Sequence, residues 1–416
     1  MLKSILKVLI LFCFVTNVYA SSVGGARIGN SFYDSLLDAI KEVGPNETIV
    51  LGSDFKTDTP IEINKSVRIN LNGHDIEAPE KVFKIQGGSL ELTGKGTIRE
   101  TEPNYAPIFI KGSTSPNDID YSTVSIGEDV TLEGWAGVFI DHDLNSSYGV
   151  LVNVFGDINS VLDTNGGTGH GVYINGNIKQ TSNCPTIEIH ETSNITSLGN
   201  GIYMAGCSNV ILNGGSVSGS EAGIAIKSGL LRVLRGNISS NGEDKTPTGG
   251  NNNGTNPSGT ALQIESNSGY SGDMEIFINS GTLTSQNSYV VYEYIANGSD
   301  TEVSNISITG GTFITNSNKD VFNLSSAFKT KFNSFISGGS YKTNPSAYLK
   351  SGYQVVSNNS MYEVVSSTMS EVNYLNIEKG SSNLVLILSI VGIIILSVVS
   401  YFNREKILNL FNSFKR

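Results

Sequence analysis

Apolar residues in this chain recur as a small box, apolar–x–apolar, nine times between Val82 and Leu324. The boxes are Phe83-x-Ile85, Ile108-x-Ile110, Val138-x-Ile140, Val172-x-Ile174, Ile202-x-Met204, Ile224-x-Ile226, Leu262-x-Ile264, Val290-x-Tyr292 and Phe322-x-Leu324. Their first members lie 25, 30, 34, 30, 22, 38, 28 and 32 residues apart. Inside each box the period is two, the period of a strand. The spacing between boxes suits one turn of a solenoid built from short strands. One such turn cannot bury its apolar face alone, so the pattern predicts stacked turns sharing a core.

Other elements fit around that frame. Phe32, Leu36, Leu37, Ile40 and Val43 line one face of a helix predicted over 31–43, with Ser31 as its cap. Packed over the open end of the first turn, it would cap the solenoid. A second motif, read as sitting after the box at one shared corner, runs Ile85-Gln-Gly-Gly-Ser-Leu, Leu212-Asn-Gly-Gly-Ser-Val, Ile278-Asn-Ser-Gly-Thr-Leu, Ile308-Thr-Gly-Gly-Thr-Phe and Ile336-Ser-Gly-Gly-Ser-Tyr. Its glycines supply backbone angles that other residues resist. The stretch 241–259, rich in Gly, Asn, Thr and Pro, breaks the period and reads as an extruded, mobile loop. Tyr348 to about Tyr374 reads as a strand pair closing the far end.

The termini carry addresses. Lys3 and Lys7, the apolar run Val8–Val15 and Val18-Tyr19-Ala20 read as a secretory signal peptide over 1–20. The uncharged run 384–402 has the length of a bilayer span. The basic tail 403–416 behind it predicts a single-pass protein with its body outside the cell. That body covers 21–375 and joins the span through a linker, 376–383. Body and linker together, 21–383, carry 21 Lys and Arg against 37 Asp and Glu, a net charge near −16. Such a surface argues against nucleic acid as a partner. Cys184 and Cys207 lie about one turn apart. The outside of a cell permits a disulfide, but their offsets from the neighbouring boxes differ, which favours two unpaired thiols.

The run Ala26-Arg-Ile-Gly-Asn-Ser-Phe-Tyr-Asp-Ser-Leu-Leu-Asp-Ala-Ile, with Thr48-Ile-Val-Leu and Ile63-Asn-Lys-Ser-Val-Arg-Ile-Asn-Leu-Asn-Gly-His74, resembles the cap and first coil of pectate-lyase-like right-handed β-helix surface proteins of Gram-positive-type bacteria. Phe335 to Tyr353 resembles their closing segment. The resemblance covers most of Ala26 to Val365. It implies an all-β fold, a right-handed parallel β-helix with an N-terminal capping helix, here followed by one C-terminal transmembrane helix. Many such proteins look like adhesins, and some β-helices of this fold are polysaccharide lyases or hydrolases; fold does not choose between them.

Three constellations carry candidate chemistry. Gly169-His170-Gly171 matches a triplet of β-helical pectin hydrolases. Gly199-Asn-Gly201 holds the same offset one turn later, and the hydrolase pattern's Asp-Asp pair and Arg-Ile-Lys are missing, so the triplet reads as a turn variant. In Asp141-His142-Asp143, strand alternation sends His142 to the opposite face from both acids, so a solvated strand end is the better reading. Glu188, His190 and Glu191 are no more convergent. No metal or cofactor is expected from these residues.

Stacking the boxes gives a sharper signal. The middle position runs Lys84, Phe109, Phe139, Tyr173, Tyr203, Ala225, Gln263, an aromatic column four turns long. The next position runs Gln86, Lys111, Asp141, Asn175, Ala205, Lys227, Glu265. In register these predict ion pairs Lys111–Asp141 and Lys227–Glu265, each worth at most about 1 kcal/mol at an exposed site. With the aliphatic pairs inward, Phe109, Phe139, Tyr173 and Tyr203 face outward beside Asp141 and Asn175. They form a strip suited to sugar rings or a partner protein, unless a loop such as Asp141 to Ser147 covers it or the column faces inward as a stacked core. The sequence therefore predicts a membrane-anchored surface adhesin or recognition protein whose partner is an extracellular glycan or a protein on a host or neighbouring cell. An extracellular polysaccharide lyase or hydrolase is the alternative.

Overall fold

The structure is a computed structural model. It describes residues 25–368 apart from residue 104, 114–120, 142–148, 162, 165–166, 176–182, 248–255 and 271–272. The signal peptide, linker, membrane run and basic tail read from the sequence lie outside the described residues. Among the described residues no helix is long and apolar enough to cross a membrane.

The boxes fall on one parallel sheet of ten strands. Its registers pair Ile108 with Val138, Val138 with Val172, Val172 with Ile202 and Ile202 with Ile224. The second box members pair likewise, through Ile140, Ile174 and Met204. All of these side chains are buried in one core. Each turn adds a strand to each of three parallel ladders. After Ile108–Lys111 in the box sheet come Ser122–Ile126 and Val130–Gly134, and then the next box strand, Ala136–Ile140. Ser122–Ile126 pairs with Ser89–Thr93 on one side and Val150–Val154 on the other. Val130–Gly134 pairs with Gly96–Glu100 and Asp157–Ser160 in the same way. The result is an all-β solenoid of stacked parallel sheets.

Three sequence readings need correction here. A tenth box, Ile61-Glu62-Ile63, starts the sheet and pairs with Phe83–Ile85; its single acidic middle residue hid it. The eighth box is out of phase by one: Leu262 pairs with Val291, not Val290. The run Tyr289-Val290-Val291-Tyr292 fits two phases, and backbone pairing selects the second. Tyr292 therefore faces outward, Glu293 takes the inner position, and Tyr294 stands beside Glu265. The glycine motifs also occupy two different corners. Gly87-Gly88 links the box sheet to the second ladder, whereas the other four link the second ladder to the third. At that second corner Gly215, Gly281, Gly311 and Gly339 all have positive φ.

The ends are closed as a solenoid requires. The helix spans Leu36–Glu42 and is shorter than 31–43. Ser31–Tyr33 is instead a strand, paired antiparallel with Ala26–Ile28, and Ser35 takes the cap by accepting from the Asp38 amide. Leu36, Ala39, Ile40 and Val43 enter the core. Lys65 Nζ bonds the Lys41 and Val43 carbonyls, 2.9 Å each, at the helix's C-terminal end. At the far end a helix absent from the sequence reading, Ser326–Lys331, follows the last box strand. Beyond it Tyr353–Asn358 and Met361–Ser366 form a hairpin, inside the expected closing segment. Met361–Ser366 pairs antiparallel with Ser340–Tyr341 and ends the parallel run.

Cys184 and Cys207 form a disulfide, with Cα atoms 5.3 Å apart. This overturns the unpaired reading. Offsets were measured from the box sheet, but both cysteines sit just before strands of the second ladder, where Thr186 and Asn209 are direct partners. The flanks of the 241–259 insertion are pinned to the body. Asn287 donates to the carbonyls of Asn241 and Gly242, and the amides of Ser258 and Gly259 donate to Glu221.

Candidate functional site

The aromatic column is built by the sheet register. Phe109 pairs with Phe139, Phe139 with Tyr173, and Tyr173 with Tyr203. Because the aliphatic box members point into the core, these rings stand on the opposite face. Their centroids are 5.3, 4.6 and 5.1 Å apart along the column. The rings pack against one another near the rung repeat of about 4.8 Å. Much of each face is therefore spent on a neighbouring ring.

The strip is covered at both ends. Phe109 is 6 % exposed, with Tyr105 edge-on to it and Lys81 Nζ 3.3 Å from the centre of the Tyr105 ring. Tyr203 is fully buried, with Tyr270 packed against it. Phe139 and Tyr173 between them are half-buried. Trp135, the single tryptophan of the chain, flanks the centre at 5.5 Å from Tyr173.

Trp135 and Tyr105 escaped the sequence reading. Both stand three residues before a box, a shared offset that could have revealed them. Both are fastened by Glu100, which is 1 % exposed. Its two carboxylate oxygens accept the Tyr105 amide at 2.6 Å and the Trp135 amide at 2.9 Å. A buried carboxylate bonded to backbone amides fixes both turns.

The neighbouring column supplies polar groups. Asp141 accepts Lys111 Nζ at 2.7 Å and Asn175 Nδ2 at 2.9 Å. All three are partly exposed beside Phe139 and Tyr173. Burial pushes the Tyr173 hydroxyl up to about 12, helped by neighbouring Tyr270 and Asp141. It therefore stays protonated at neutral pH and keeps its proton to donate.

The Lys227–Glu265 pair forms at 2.8 Å, but each side chain is only 1 % exposed, so the exposed-site energy does not apply. Tyr270 covers it with Tyr203, their rings 5.1 and 5.5 Å from Lys227 Nζ. Tyr294 donates to the other Glu265 oxygen at 2.5 Å. Burial lowers the affinity of Lys227 for its proton, and Glu265 opposes that effect.

His170 is 5 % exposed, stacked at 5.2 Å on Tyr203, and burial alone holds its pKa down to about 3. It is thus neutral at pH 7 and accepts from the Asn200 amide at 3.3 Å. Of Asp141-His142-Asp143 only Asp141 is among the described residues. His190 stacks on Phe155 at 3.9 Å, while Glu188 meets Asn213 and Glu191 meets Arg235. The three residues thus have three separate sets of neighbours. Among the described residues no group of three His, Cys, Asp or Glu side chains is placed to hold a metal ion. Comparison with known proteins adds no assignment: no protein-family model, no curated protein and no solved structure matches this chain.

Proposed function

We propose that this chain is a cell-surface recognition protein, an adhesin-type molecule that presents one flat flank of a stiff rod to an extracellular glycan or to a protein on a neighbouring cell. In this reading the solenoid is a right-handed, pectate-lyase-like β-helix. The 1–20 leader exports it, and the 384–402 run holds it in the membrane with the body outside.

One observation carries the proposal. The half-buried Phe139–Tyr173 pair lies between Trp135 and the Lys111–Asp141–Asn175 chain on a single sheet face. Ring edges, the broad Trp135 ring, a protonated phenol, an amide and a carboxylate side by side are what a hydroxyl-rich, flat ligand pairs with. Phe109 and Tyr203 then act as the buried ends that hold the pair in place. The body's negative charge disfavours nucleic acid and polyanionic glycans, so neutral sugars are the class expected.

A glycan-array screen, with each hit checked for cleavage products, tests this. Trp135→Ala and Tyr173→Ser should each weaken binding about tenfold, roughly 1.4 kcal/mol, with melting shifted by only a few degrees. Binding that ignores both substitutions would sink the proposed strip. Released products would move the assignment to the lyase or hydrolase alternative.

A further inference from the structure

The outer strand of the C-terminal hairpin, Tyr353–Asn358, pairs on one side only. Among the described residues no strand covers its other edge. The turn is two residues long, Asn359 and Ser360, both with positive φ, so Asn358 and Met361 form the hydrogen-bonded pair next to it. Alternation then makes Val356–Glu363 hydrogen-bonded and Val355–Val364 and Ser357–Tyr362 not. The Val364 amide agrees: it points away from the outer strand, donating to Gly339 at 2.9 Å. The amides and carbonyls of Val355 and Ser357 are therefore aimed at the open edge.

Edges of this kind are usually blunted by charge, proline or a bulge. Here residues 351–360, Ser-Gly-Tyr-Gln-Val-Val-Ser-Asn-Asn-Ser, carry no charge and no proline. Val356 is 42 % exposed. On the other face Tyr353 is 37 % exposed and Val355 packs against the core. In a chain of net charge −11 this is a neutral, strand-forming edge.

We propose that Tyr353–Asn358 is a self-association edge, pairing antiparallel with the same strand of a second copy about a two-fold axis through Val356. The occupant follows from the charge. An uncharged strand meets itself without repulsion. The nearest acids, the two Glu363 side chains, end up three strand spacings apart, about 14 Å, beyond the screening length at physiological salt. The axis at Val356 engages Val355 and Ser357 of each copy with Ser357 and Val355 of the other. The two Val356 residues face each other as a close pair with Cα atoms about 4.5 Å apart. Six residues of edge bury less than a stable dimer needs, so the pairing is weak in dilute solution and favoured where copies share a surface. This inference does not depend on the glycan reading.

The test uses the full chain at high concentration under mild oxidation. Val356→Cys should give a covalent dimer, since facing Cα atoms at that distance suit a disulfide. Leu234→Cys, exposed on another face, serves as the control that should stay monomeric. Non-covalent dimer, read by sedimentation of the concentrated protein, should fall at least fivefold in Val356→Lys, whose melting should match the parent. The proposal is overturned if Val356→Cys cross-links no more than Leu234→Cys, if it links only to a different polypeptide, or if Val356→Lys leaves the dimer intact.

Discussion

At the scale of single residues, burial decides what a side chain is worth here. Lys227 and Glu265 stand in register as their sequence positions require, yet Tyr203, Tyr270 and Tyr294 turn an apparent surface pair into an interior one. Removing one partner strands a charge. Lys227→Met alone should cost about 3–5 kcal/mol, and Lys227→Met with Glu265→Leu should recover most of it, as read by chemical denaturation. Two losses that simply add would show that the charges are solvated. The sequence could place these residues because a strand's period fixes register. It could not show their cover, because Tyr270 arrives from a turn outside the repeat. The same limit separates the strip's middle from its ends: Phe109, Phe139, Tyr173 and Tyr203 share one column, but Phe109 and Tyr203 are lost to solvent through neighbours that no box spacing encodes.

At the scale of elements, what the sequence revealed was whatever repeats. Box strands and the glycine motifs were legible from their period and the first cap from its apolar face, but not which corner each motif turns, nor the helix Ser326–Lys331. Errors came where two phases competed, as at Val290 and Val291, or where a local pairing outbid a helix face, as at Ser31–Tyr33. Offsets taken from one ladder also misjudged cysteines belonging to another. The glycine corner between the second and third ladders is a strong local constraint. Gly311 has φ of 101°, and an added Cβ would stand 3.2 Å from the Gly281 carbonyl oxygen. Gly311→Ala should therefore cost about 1–3 kcal/mol. Thr309→Ala, two residues away on the surface, should stay within about 0.5 kcal/mol in parallel thermal melts.

At the scale of the whole described body, each turn leans only on the turns beside it, so the fold is a series of similar joints rather than one cooperative knot. The Cys184–Cys207 bond interrupts that series by tying two adjacent turns together. Its consequence is mechanical. Tension applied through the ends of the chain runs across the sulfur bridge and bypasses the segment between the cysteines, 23 positions apart in sequence. Stretched by optical tweezers, the oxidised protein should release roughly 75–80 Å less contour length than the reduced one, at up to about 3.6 Å per residue. Under load that turn would hold as a unit, while the turns on either side peel away and absorb the pull.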